Sequence, residues 1–155
     1  DDKETTYPAG GDRICNRDYA DYIQTQIVED IRQTMMPTWQ KRHLMHQSMS
    51  ETRNPKVPST IIELLSHHNY YDMTFGLDPK FKFIASRAIY KGMLRFIHQT
   101  TGTPYVVQPL PVQQMNISYA NNDSLHITWA ERVDRLEPTA TPTYYIIYTR
   151  TYVHT

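Results

Sequence analysis

Glu63 is the residue that most invites chemistry, because it stands in a short, apolar, β-branched run, Val57-Pro58-Ser59-Thr60-Ile61-Ile62-Glu63-Leu64-Leu65. Burying an ionised carboxylate without a partner is costly, so such a group must be paired, metal-linked, protonated or exposed at a strand end. At the carboxyl end of a strand in an open α/β sheet it would face the ligand crevice, where a carboxylate can act as a proton shuttle. An ion pair with Arg42 or Arg53 is the purely structural alternative. His67, His68 and Asn69 follow in the loop beside it and are the candidate substrate-binding residues. A catalytic zinc needs three convergent ligands, and adjacent side chains diverge on a strand. His43 with His46, and His67 with His68, therefore make a poor ligand set, and no metal ligands are assigned in this chain. Cys15, the single cysteine, would be a nucleophile only with a base and an orienting group that the sequence does not show, so a small buried side chain is expected. Lys41 and Arg42 read as a solvated basic loop, with binding of peptide carboxylates as the alternative.

These residues need elements to hold them. Residues 1–11 are polar, contain Gly10-Gly11 and read as loop. Asn16 is the expected N-cap of a helix with Asp18 and Asp21 near its positive end. Tyr19, Ile23, Ile27, Ile31 and Met35 fall four apart and give that helix one buried stripe, which Pro37 stops. Residues 38–56 carry Trp39 and no clear period, so a long loop with one helical turn is expected. The run at 57–65 suits a central strand of a parallel sheet covered on both faces. Asn69 caps a short helix ending at Gly76. Asp78-Pro79 and Gly102 then bracket a long helix, whose expected face is Phe81, Ile84, Ala85, Ala88, Ile89, Gly92, Met93, Phe96 and Ile97.

Beyond Gly102 the grammar changes, and five of the ten prolines follow Thr103. We place one domain at 1–103, a stiff linker at 104–112 and a second domain at 113–155. In the second, Met115, Ile117 and Tyr119 alternate, Asn121-Asn122-Asp123 makes a turn, and Leu125, Ile127 and Trp129 alternate again. Residues 144–148 supply a third strand. Three strands with one apolar face require a second sheet to cover them, so the chain is expected to end within this domain. The exposed sheet edges are then expected to favour association.

The ordered series Val57-Pro58-Ser59-Thr60-Ile61-Ile62-Glu63, Ser66, Asn69, Leu77-Asp78-Pro79 and Ser86-Arg87-Ala88-Ile89-Tyr90-Lys91-Gly92-Met93-Leu94-Arg95-Phe96 resembles the C-terminal half of zinc-dependent N-acetylmuramoyl-L-alanine amidases. The resemblance covers about residues 14–100. It implies an α/β fold, a partial amidase-type sheet flanked by helices. It also implies a reaction: zinc activates a water and polarises the amide carbonyl, while Glu63 takes a proton from the water and passes it to the leaving amine. The bond cut joins the lactyl group of N-acetylmuramic acid to L-alanine in peptidoglycan, which places the protein in the cell envelope, periplasmic or extracellular. Two departures stand out. Leu64-Leu65 replaces the family's Gly-Phe after the glutamate, and the family's zinc ligands lie upstream of everything matched. This chain is thus expected to hold the proton shuttle without the metal and to be inactive alone.

The tail, through Met115-Asn116-Ile117-Ser118, Ser124-Leu125-His126-Ile127-Thr128-Trp129 and Tyr144-Tyr145-Ile146-Ile147-Tyr148, resembles the first three strands of a fibronectin type III domain. It implies an incomplete all-β sandwich with a spacing or docking role. Composition narrows the partners further. With 16 Lys+Arg against 16 Asp+Glu in 155 residues, the chain lacks the excess positive charge of a nucleic-acid or anionic-membrane binder. No apolar run approaches the roughly 20 residues that cross a bilayer. Peptidoglycan or its fragments are the expected partner. The alternative function is a non-catalytic binding or spacer module of a cell-surface polysaccharide-processing protein, such as a polysaccharide lyase.

Overall fold

A computed structural model describes residues 12–45, 47, 49–121 and 124–150. The loop expected at 1–11, His46 and the centre of the 121–123 turn lie outside the described residues. The fold is mixed α/β, in the order α1 (Cys15–Thr34), α2 (Ser50–Arg53), α3 (Tyr70–Leu77), α4 (Pro79–Thr101), β1 (Gln113–Asn121) and β2 (Ser124–Ala130). The chain divides into two compact units that part between Tyr105 and Val106.

In the first unit, α1 and α4 form an antiparallel pair. Tyr19 near the start of α1 meets Phe96 near the end of α4 with ring centroids 5.0 Å apart. Trp39, just past α1, meets Phe81 at the start of α4 at 5.7 Å. The stripe at steps of four is buried as its spacing requires: Ile23, Ile27 and Ile31 enter one core cluster with Phe81, Ile84, Ala85 and Ala88. Gly92 brings the two backbones together, since a Cβ there would stand 2.6 Å from Ile23 Cα. The buried face of α4 is rotated from the expected one. Met93 and Ile97 are exposed, and Lys91 is fully buried.

Helix ends follow from their caps. Asp78 Oδ1 accepts from Lys80 N at 2.8 Å, Pro79 occupies the first turn, and Gly102 ends α4 at φ 72° with its N–H on His98 O. The start of α1 differs from expectation. The helix begins before Asn16, with Ile14 at the cap and no side-chain cap bond. Asp12 Oδ1 accepts from Ile14 N at 2.9 Å, which frees Asn16 Oδ1 to accept from Ser59 N at 3.2 Å.

Residues 57–65 correct a second expectation. They run without helix or sheet assignment, and the described residues hold one sheet, the two-stranded β1–β2. A β-strand is defined by its ladder, and no described strand lies beside this segment to complete one. It is nonetheless held at both ends: Ser59 is tied to Asn16 at the start of α1, and Leu64 and Leu65 pack on the core cluster beside Trp39 and Phe75. The segment therefore travels along the helix pair in the direction of α1.

In the second unit, β1 and β2 pair antiparallel with Ile117 opposite Ile127 and Tyr119 opposite Leu125. The alternation read from sequence sets this register. Gln114, with φ 52°, sits where the register shifts. The third strand expected at 144–148 does not form. Tyr145 makes an edge contact with Trp129 at 5.3 Å, but Tyr144, Ile146, Ile147 and Tyr148 are exposed and no ladder joins them to the hairpin.

Candidate functional site

Glu63 lies on the exposed part of the 57–65 run, after Ile61 and Ile62, which are also exposed. The residues that follow, Leu64 and Leu65, pack against the core cluster, as Trp39 and Phe75 do. The carboxylate is therefore not buried, and the desolvation argument that singled it out from sequence does not apply to this arrangement. It makes no ion pair among the described residues, so the alternative of a bridge to Arg42 or Arg53 is not realised either.

The loop after it is organised by short polar side chains. Asn69 N donates to Ser66 O at 3.0 Å, and Asp72 Oδ2 accepts from Ser66 N at 2.7 Å. Asn69 Oδ1 accepts from Tyr71 N at 2.9 Å and Asp72 N at 3.4 Å, making it the N-cap of α3 as its position predicts. Its carbonyl oxygen is thereby committed to the helix, and only the amide N–H2 is left for a ligand. His67 and His68 occupy the turn and are exposed. Their ring centroids are 3.8 Å apart at 43°, so these neighbours lie together, tilted, in a turn where a strand would have sent them to opposite faces. The structure thus places Glu63, His67, His68 and Asn69 on one exposed stretch of chain between the core-facing Leu64–Leu65 pair and α3.

No three or more His, Cys, Asp or Glu side chains converge on a metal position among the described residues. Cys15 is held as a thiol: burial pushes its pKa up, and Asp12 and Asp18 push it the same way. That is the opposite of an activated nucleophile. Lys41 is part of a tether, donating to Asp21 Oδ1 at 2.8 Å and Thr25 Oγ1 at 2.7 Å, and so fastens the loop after α1 back onto the helix.

One concavity escaped the sequence reading. An open groove of about 390 Å³ is lined by Asp18, Asp21, Tyr22, Phe96, Gln99 and Thr100, and none of the predicted site residues lines it. The spacing of Asp18, Asp21 and Tyr22 on one helix face was the available signal, but both aspartates are equally accounted for by the helix dipole.

Compared with known proteins, the chain matches no family model, no curated protein and no solved structure. The amidase and fibronectin resemblances accordingly rest on the residues quoted for them.

Proposed function

We infer that residues 1–103 belong to the C-terminal half of a peptidoglycan amidase domain in which Glu63 is the general base and acid for hydrolysis of the N-acetylmuramoyl-L-alanine amide. The observation that carries this reading is the 57–65 run: apolar and β-branched, tethered along the α1–α4 pair, free of a ladder among the described residues, and carrying Glu63 on its exposed part. A β-branched segment that no ladder yet claims, with a helical layer already behind it, is what an α/β sheet can take up as a strand. Adding neighbouring strands would cover Ile61 and Ile62 and bring Glu63 to the sheet's carboxyl end, where a crevice forms.

Zinc, when bound in such an enzyme, supplies an activated water and a Lewis acid for the carbonyl. The described residues do not supply its three ligands, so the metal would be held by residues outside them. What this chain contributes is derived without it. Glu63 offers an accessible carboxylate that accepts and returns a proton. The paired His67 and His68 rings and the Asn69 amide N–H2 offer polar groups to a peptide or sugar beside it. The tail, on this reading, begins a fibronectin type III sandwich that spaces or docks the enzyme in the cell envelope.

The exposure of Glu63 equally suits a second reading, a non-catalytic binding or spacer module of a polysaccharide-processing protein. The deciding experiment uses the full-length gene product: release of peptide from purified peptidoglycan, with and without Glu63→Gln, alongside zinc content. Loss of at least about 100-fold in turnover with zinc retained is expected, as for removal of a general base. Turnover indifferent to the substitution would refute the role of Glu63. No turnover by a zinc-free, folded protein that still binds peptidoglycan would establish the module.

A further inference from the structure

We propose that Tyr70 and Tyr71, in the first turn of α3, form a platform on which a neutral N-acetylated sugar of a glycan strand stacks, beside the stretch that carries Glu63. The assignment rests on the reading of the protein as one that acts on or binds peptidoglycan. The other aromatic side chains of the first unit serve its packing: Phe81 and Phe96 are buried, and Tyr19, Trp39 and Phe75 lie against the core cluster. Tyr70 and Tyr71 stand apart at 80% and 77% exposure, and the next most exposed Phe, Tyr or Trp among the described residues of that unit is Phe83 at 45%. Their rings meet edge to face, with centroids 6.2 Å apart at 75°. A single apolar side chain in water is ordinary, but two large adjacent ones form a patch that suits a contact.

The neighbours say what kind of occupant fits. Ser66, His67, His68 and Asn69 lead into the tyrosines, so residues 66–71 hold four rings and no aliphatic, acidic, lysine or arginine side chain. The tyrosine hydroxyls, the ring nitrogens of both histidines and the Asn69 amide N–H2 make no hydrogen bond to another described residue. The groups that would favour a charged ligand are spent. Tyr71 N and Asp72 N, which would draw an anion to the helix start, donate to Asn69 Oδ1, and the Asp72 carboxylate accepts from Ser66 N. What remains is flat, without fixed charge, and rich in hydrogen-bonding groups. A pyranose matches it, with apolar C–H faces for a ring and hydroxyls at its rim, and tyrosine itself joins an apolar body to a polar tip. Protein interfaces pack their tyrosine anchors among arginine and further apolar side chains, which residues 66–71 lack. The platform also lies close to the acid. The Ser66–Asp72 bond of 2.7 Å fastens the first turn of α3 to a point three residues from Glu63, and three residues span at most about 11 Å. A polymer seated on the tyrosines is thereby held where its neighbouring units meet the segment that carries Glu63.

The test is calorimetric titration of the full chain with the linear tetramer of N-acetylglucosamine, a probe that lacks the lactyl–alanine amide and so reports binding apart from hydrolysis. Binding is expected. Replacing both rings, Tyr70→Ala with Tyr71→Ala, should weaken it at least about tenfold, whereas Tyr70→Phe with Tyr71→Phe, which keeps the rings, should weaken it less than about threefold. Both side chains are exposed, so the helical circular dichroism of the parent should persist; if the alanine pair loses it, the single alanine variants carry the same test. No binding by the parent chain at millimolar probe, or an affinity that folded alanine variants leave unchanged, would overturn the proposal. So would tyrosine-dependent binding of the free stem peptide in a chain that does not bind the sugar. Peptide release is read separately. Sugar binding indifferent to the tyrosines, with turnover lost in Glu63→Gln, would refute the platform alone. Sugar binding that needs the tyrosines, with turnover indifferent to Glu63→Gln, would refute the catalytic role alone.

Discussion

Cys15 shows how a residue's surroundings decide what it cannot do. Burial, then the negative charges of Asp12 and Asp18, raise its pKa above the ordinary thiol value of 9.0, so less thiolate is present in the folded chain at any given pH below it. The attacking species in disulfide exchange is the thiolate. At pH 8 its reaction with an aromatic disulfide should be several-fold slower in the native protein than in the same chain unfolded in urea. A native rate equal to or above the unfolded one would show that the side chain is neither shielded nor held neutral. Glu63 carries the opposite lesson. Its sequence setting suggested a buried charge in need of a partner, yet an apolar neighbourhood along the chain becomes burial only when something covers it, and here Ile61 and Ile62 are exposed beside it.

The elements divide by how far their causes are local. Both long helices were legible because period and stop signals lie within the helix and its immediate flanks: Asp78, Pro79 and Gly102 place the ends of α4, whereas at α1 the expected cap, Asn16, lies inside the helix and binds Ser59 instead. The hairpin was legible for the same reason, as two alternating runs close together pair with each other. Residues 57–65 and 144–148 were not, because their β-branched and aromatic composition fits a strand while a strand's existence depends on a partner that composition does not specify. The rotated face of α4 was missed at Lys91, whose burial is decided by Asp30, 61 positions earlier. Gly92 tests the packing of the helix pair directly. Gly92→Ala gains about 1 kcal/mol in helix propensity, but its Cβ would meet Ile23 backbone at 2.6 Å, which no side-chain rotation relieves. A net loss of about 1–2 kcal/mol in urea denaturation is expected, and a stabilised variant would mean that the helices approach less closely than described.

At the scale of the molecule, the division into two compact units implies that the first can unfold as a unit of its own. The core cluster belongs wholly to the first, so a chain ending at Tyr105 should keep its helical circular dichroism and melt within about 2 °C of the corresponding transition in the whole protein. Loss of cooperative melting would show that the second unit is needed to complete the first. The exposed apolar residues of the second unit, Met115, Ile117, Tyr119 and Leu125 among them, leave its hairpin with little burial of its own, and isolated hairpins are marginal in water.

The tethering of residues 59–65 alongside α1 turns two elements into matched rulers. From Ser59 to Leu65 an extended chain advances about 20 Å, and α1 from Asn16 covers that span in about 13 residues. Deleting a single residue between those moorings would shorten one ruler by about 3.3 Å against a helix that keeps its length, so either the Ser59–Asn16 tie or the Leu64–Leu65 packing must give way. The distance between two anchor points, neither of them chemical, thus fixes where along the helix pair the carboxylate is presented.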